Sequence, residues 1–152
     1  MRFYQSPVFL GNHRNLNMVL KSLKKFKVPK TIKSEKDIEG KLHKHLYEEF
    51  SEYHSVATQY NIGGYLGFTS DIDIADGHIG IEIKLTRELT KKKSQNIQRL
   101  FGQIIYQVKR KYNGNNRLIV LIVGPVEKKE SSILQEIIKF TKDLDATPLH
   151  IK

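Results

Sequence analysis

The sequence predicts a layered α/β domain, with a central mixed sheet flanked by helices. Segments of helical spacing alternate with segments of period two, Asp76-Gly77 sits between two alternating runs as a hairpin turn, and Leu118 to Val123 is an unbroken apolar run. Alternating polar and apolar residues suit a strand with one solvated face, and a continuous run suits a strand covered on both. Helices and strands in that mixture pack as a sheet between helical layers.

Leu16, Val19, Leu20, Leu23 and Phe26 fall on one helical face, with Lys21, Lys24, Lys25 and Lys27 around them and Pro29 as the stop. This is a basic amphipathic helix, whose ordinary use is to pack its stripe on the domain. A second helix starts at Ser34, where Ser34-Glu35-Lys36-Asp37 resembles a capping box with Asp for the usual Glu or Gln, and it carries Ile38, Leu42, Leu46, Phe50 and Tyr53 inward. Val56 to Asn61 reads as a strand and Gly63-Gly64-Tyr65-Leu66-Gly67 as a loop.

The hairpin follows. A two-residue turn at Asp76-Gly77 pairs Ile74 with Ile79, Asp73 with Gly80, Ile72 with Ile81 and Asp71 with Glu82. Ser94 to Tyr112 is then a helix that Asn113-Gly114-Asn115-Asn116 breaks, Ser131 to Leu144 is a last helix, and Pro148 to Ile151 adds a terminal strand.

The chain of 152 residues suits one domain, and its 39% hydrophobic and 28% charged residues are those of a soluble globular protein. No apolar run reaches the roughly 18 residues that span a membrane, and the amino terminus lacks the pattern of a secretory signal, so a cytoplasmic location is expected. Without cysteine there are no disulfides and no thiolate metal sites, which leaves oxygen or imidazole as metal ligands. A formal charge of +10 points to a polyanionic partner.

Alternation places Ile72, Ile74, Ile79, Ile81, Ile83 and Leu85 on the core face of the hairpin and Asp71, Asp73, Glu82 and Lys84 on the other. Opposed carboxylates about 5 Å apart at Cβ repel, and a divalent cation would neutralise them. Hard oxygen ligands suit Mg²⁺ or Mn²⁺, and Gly80 beside Asp73 is expected to leave open space for a metal or a substrate backbone. The same alternation also serves many plain solvated strands.

Ser70-Asp71 followed by Glu82-Ile83-Lys84 resembles the PD-(D/E)xK, restriction-endonuclease-like nuclease superfamily, with Ser70 where the family has Pro. The family core is helix, three strands, helix, strand, an order that Ser34 to Val123 reproduces. The resemblance implies an N-terminal extension over residues 1–33, a catalytic core over 34–124 and a C-terminal helix and strand over 125–152. It also implies a metal-dependent deoxyribonuclease, structure-selective or non-specific, akin to archaeal Holliday-junction-resolvase-like members and working as a homodimer on DNA.

By that resemblance Asp71 and Glu82 hold the metal with the Ile83 carbonyl as a third ligand, and Lys84 orients the attacking water or stabilises the phosphorane. Glu39 completes the set from the first core helix, with Glu35 and Asp37 as rivals, and Asp73 is the rival of Asp71. Gln103 is the glutamine expected on the helix after the third strand. Arg87, Lys91, Lys92, Lys93 and Arg99 would contact DNA phosphates, with Lys109, Arg110 and Lys111 adding charge beyond them. His43 and His45 diverge on their helix, and the histidines read as surface residues, with His78 flanking the turn. The competing reading from another class is a non-catalytic nucleic-acid-binding or assembly protein that keeps this fold; a membrane-surface role for the first helix is a weaker third.

Overall fold

The computed structural model describes residues 13–91 and 93–152. Helices α1 (His13–Lys25) and α2 (Glu35–Phe50) lead into strands β1 (Val56–Asn61), β2 (Thr69–Ile74) and β3 (Ile79–Leu85). Short α3 (Thr86–Lys91) and long α4 (Lys93–Arg110) follow, then β4 (Leu118–Val123), α5 (Ser131–Asp143) and β5 (Thr147–Ile151). The strands form one mixed sheet in the order β1-β2-β3-β4-β5, antiparallel from β1 to β3 and parallel from β3 to β5.

Period-two alternation builds the two cores. The apolar face of the hairpin, Ile72, Ile74, Ile79, Ile81, Ile83 and Leu85, packs with the stripes of α1 and α2. On the other face, Leu118, Val120 and Ile122 of β4 pack with Leu100, Ile104 and Val108 of α4 and Leu134 and Ile137 of α5. All six residues of β4 are therefore buried, as a central parallel strand requires. The lysines Lys21, Lys24, Lys25 and Lys27 stay exposed while Leu16, Val19 and Leu23 are buried, so the basic helix packs on the domain. Among the described residues no helix is long and apolar enough to cross a membrane.

Ser34 caps α2, its Oγ accepting from the Asp37 N–H at 3.1 Å, which satisfies a donor left over at the helix start. Two expectations fail, and one helix is unanticipated. Tyr53 is half-exposed, because α2 ends at Phe50 and Ser51 closes it onto the Tyr47 carbonyl, which takes Tyr53 off the apolar stripe. Thr86–Lys91 forms a separate helix, too short for a periodic pattern to register. Three of the histidines clip elements together instead of lying idle at the surface: His43 Nε2 meets the Val56 carbonyl at 2.8 Å, His45 Nε2 the Ser22 carbonyl at 2.8 Å, and His150 Nε2 the Gly124 carbonyl at 2.7 Å.

Candidate functional site

The hairpin register is Ile72 with Ile81, Asp73 with Gly80 and Ile74 with Ile79, as expected. Four residues, 75–78, make the turn where two are expected, Ala75, Asp76 and Gly77 all taking positive φ, and Asp71 does not pair with Glu82. Asp71 and Glu82 lie just past the last of these pairs. There the strands part and the Asp71 carboxylate replaces the ladder, its Oδ2 accepting the Ile83 N–H at 2.8 Å. The Asp71 and Glu82 carboxyl groups come within hydrogen-bonding reach of each other. Lys84, one step along the same face, holds its Nζ 3.3 Å from Glu82 Oε2 and 3.9 Å from Glu35 Oε1.

Glu82 is buried, and Gln107 of α4 donates Nε2 to its Oε1 at 2.7 Å. Burial pushes the Glu82 carboxyl up to about 7, the Asp71 charge adding to it, while Lys84 and Gln107 pull it back. Glu35 is pushed up to about 8, first by burial and then by a hydrogen bond with Glu88 of α3, against the pull of Lys84. For Lys84, burial disfavours the ammonium, but Glu82, Glu35 and Asp71 outweigh it and hold the group above its ordinary value. Lys84 thus keeps its proton at neutral pH, beside an acidic cluster that has more carboxyls than it can balance.

Glu39 reaches the cluster through a bridge. Gln59 of β1 donates Nε2 to Glu39 Oε1 at 2.6 Å and lies 3.4 Å from Asp71 Oδ1, and Thr69 Oγ1 donates to Gln59 Oε1 at 2.9 Å. The β1–β2 register runs through Thr58 with Ile72 and Tyr60 with Ser70 but skips the rung between them, where Gln59 stands at φ 47 opposite Asp71. A left-handed, non-glycine residue within a strand costs on the order of 1 kcal/mol. Here it turns the amide toward both acids. Burial raises the Glu39 carboxyl, with Gln59 opposing and Asp71 reinforcing the rise.

The rivals separate. Asp73 points into the core, accepting from Tyr112 Oη at 2.7 Å and from the Gly77 N–H at 2.8 Å. Burial pushes its carboxyl up to about 6, these two donors holding it down. The space expected beside Gly80 does not exist: a Cβ there would stand 2.3 Å from the Tyr112 ring, which covers the glycine. Asp37 remains at the helix start, paired with Lys41 at 3.3 Å. Gln103 is one helical turn short of Glu82, with its Oε1 buried and unpartnered; the glutamine that meets Glu82 is Gln107, because α4 crosses the sheet there.

Of the cations, Arg87 donates to the Ile32 and Lys33 carbonyls at 2.7 and 2.8 Å, tying the entry of α2 to α3. Arg99 is exposed on α4. Lys91 closes α3 and Lys93 opens α4, while Lys92 lies outside the described residues. Lys111 sits 5.9 Å over the Tyr60 ring.

Sequence reasoning missed Gln59, Glu88 and Gln107. Gln59 follows only if the β1–β2 register is known, and Glu88 only if α3 is. Gln107 repeats Gln103 at the next turn of one helix face, so spacing alone leaves both open.

The donor set is hard oxygen throughout: Asp71 and Glu82 together, Glu39 and Glu35 behind them, and the buried, unpartnered Oε1 of Gln107, whose Nε2 meets Glu82. That chemistry fits Mg²⁺ or Mn²⁺. Among the described residues no three Asp, Glu or His side chains already stand as a metal-holding group; Lys84, Gln59 and Gln107 engage the carboxylates instead. Set beside known proteins, the chain matches no family model, and no curated protein or solved structure matches it significantly.

Proposed function

We propose that this chain is a metal-dependent DNA endonuclease of the PD-(D/E)xK kind. The observation that carries the reading is the approach of the Asp71 and Glu82 carboxyls beside the protonated Lys84 ammonium, 3.3 Å from Glu82, where the hairpin strands part. Apart from the short α3, the order α2, β1 to β3, α4, β4 is the order of that family's core, and it supports the same reading.

Asp71 and Glu82 would hold Mg²⁺ or Mn²⁺, with the Ile83 carbonyl and Glu39 completing the shell. The bound ion would polarise the phosphate and lower the pKa of water. Gln107 fixes the Glu82 rotamer, and Gln59 ties Asp71 to Glu39. Lys84 keeps its proton and offers an ammonium to the charge that develops on the phosphoryl oxygens. DNA is the proposed substrate because the chain as a whole carries a formal charge of +10. As a homodimer, the protein would present two such sites to two strands.

The test is cleavage of plasmid, single-stranded and four-way-junction DNA with Mg²⁺ or Mn²⁺, comparing wild type with Glu82→Ala and Lys84→Ala. Metal-dependent cutting that both variants lose supports the reading, and the preferred DNA narrows the class. Wild-type protein that binds these DNAs and never cuts them replaces it with a non-catalytic binding module.

A further inference from the structure

Residues 62–68 connect β1 to β2 at the sheet end where Asp71 lies, two residues into β2 from Thr69. The root of this loop is fixed. The Ile62 N–H donates to the Phe68 carbonyl at 3.3 Å, the Gly63 N–H donates to Asn61 Oδ1 at 2.7 Å, and Phe68 packs edge-on to Tyr106 of α4 at 4.8 Å. Gly63 and Gly64, at φ 88 and 85, let the backbone lie against Arg110 and Tyr106: a Cβ on Gly63 would stand 3.0 Å from Arg110 Nη2, and one on Gly64 3.3 Å from Tyr106 Oη.

The tip is bare. Tyr65 is fully exposed at 107% and Leu66 at 63%. A glycine-built loop anchored at its root thus holds an aromatic ring clear of the protein. Both faces of a tyrosine ring stack on a nucleobase, and apolar tips wedge between bases. The Arg110 guanidinium at the root supplies the charge that the adjoining phosphate needs.

We propose that Tyr65 and Leu66 form a base-stacking tip that captures an unpaired DNA base beside the scissile phosphate, so that the enzyme prefers distorted DNA over continuous duplex. This rests on the nuclease reading of the adjoining site, and it names the substrate feature that the site takes.

The full chain contains no tryptophan, so Tyr65→Trp places a single reporter at the tip. Binding is measured with Ca²⁺, without cleavage, on a short paired duplex and on the same duplex carrying one unpaired thymine. Wild type should favour the bulged duplex, and Tyr65→Ala should weaken that complex roughly 10-fold while leaving the paired duplex within roughly 2-fold, at unchanged salt dependence. Tyr65→Trp should restore the preference, with emission quenched by the bulged duplex only. Equal affinities of Tyr65→Ala and wild type for the bulged duplex, or equal weakening on both duplexes, overturns the proposal while the nuclease reading stands. Wild-type protein that binds neither DNA removes the nuclease reading, and this proposal with it.

Discussion

Asp71 and Asp73 share one strand and one face, two residues apart, yet they belong to different regions of the molecule. Asp73 is sealed in the core with both oxygens engaged, one by Tyr112 Oη and one by the Gly77 N–H, under the ring that covers Gly80. Asp71 lies where the strands part, half-buried, facing Glu82 and reached by Gln59. The closed end of the hairpin satisfies its acid and the open end crowds its acid against others. An acidic residue becomes chemistry where the fold gives it too few donors, and it becomes structure where the donors suffice.

The sharpest break of this comparison exchanges the two losses. Asp71→Ala should cut metal-dependent DNA cleavage by roughly 100-fold or more, the scale of a lost metal ligand, and move the melting temperature by less than about 5 °C. Asp73→Ala should do the reverse. It orphans the Tyr112 hydroxyl and the Gly77 amide, which costs about 2–4 kcal/mol or roughly 5–15 °C in melting temperature, while cleavage per folded molecule persists. Chemical denaturation and single-turnover cleavage of both variants decide it; a stable Asp73→Ala protein without activity would assign the chemistry to the wrong aspartate.

Gly80→Ala sharpens the same contrast at smaller scale. The added methyl meets the Tyr112 ring, and the displacement should cost about 1–3 kcal/mol. A urea midpoint equal to wild type would show that the ring moves freely and that the closed end is not closed.

The smallest effect is a slope with pH. The Asp73 carboxyl is raised to about 6 from 3.8, so the folded state holds that proton more tightly than the unfolded chain. Its contribution to stability is fully present below pH 3.8 and is lost as pH rises through about 6, at no more than about 1 kcal/mol per pH unit. The stability gap between wild type and Asp73→Ala should therefore narrow from pH 4 to pH 7; a constant gap would mean that Asp73 does not titrate in this window.

The sequence determined much of this on local grounds. Period-two alternation around Asp76-Gly77 set the hairpin register and the core face, because a slip of one residue would bury every acid on the apolar side. Helical spacing located α1, α2, α4 and α5, and the apolar run Leu118 to Val123 located the buried β4. The juxtaposition of Asp71, Glu82 and Lys84 follows from the same alternation.

Tertiary structure alone decided which neighbours complete the cluster. Gln107 meets Glu82, and Gln103 does not, because the crossing of α4 over the sheet chooses between two turns of one helix face. Gln59 and Glu39 join Asp71 because one rung of β1 turns left-handed, a choice no pattern of residue types encodes. Tyr112, distant in sequence, fills the space over Gly80 and converts Asp73 from a candidate ligand into part of the core. Periodicity fixes which face a residue occupies; the packing of other elements on that face decides what it meets.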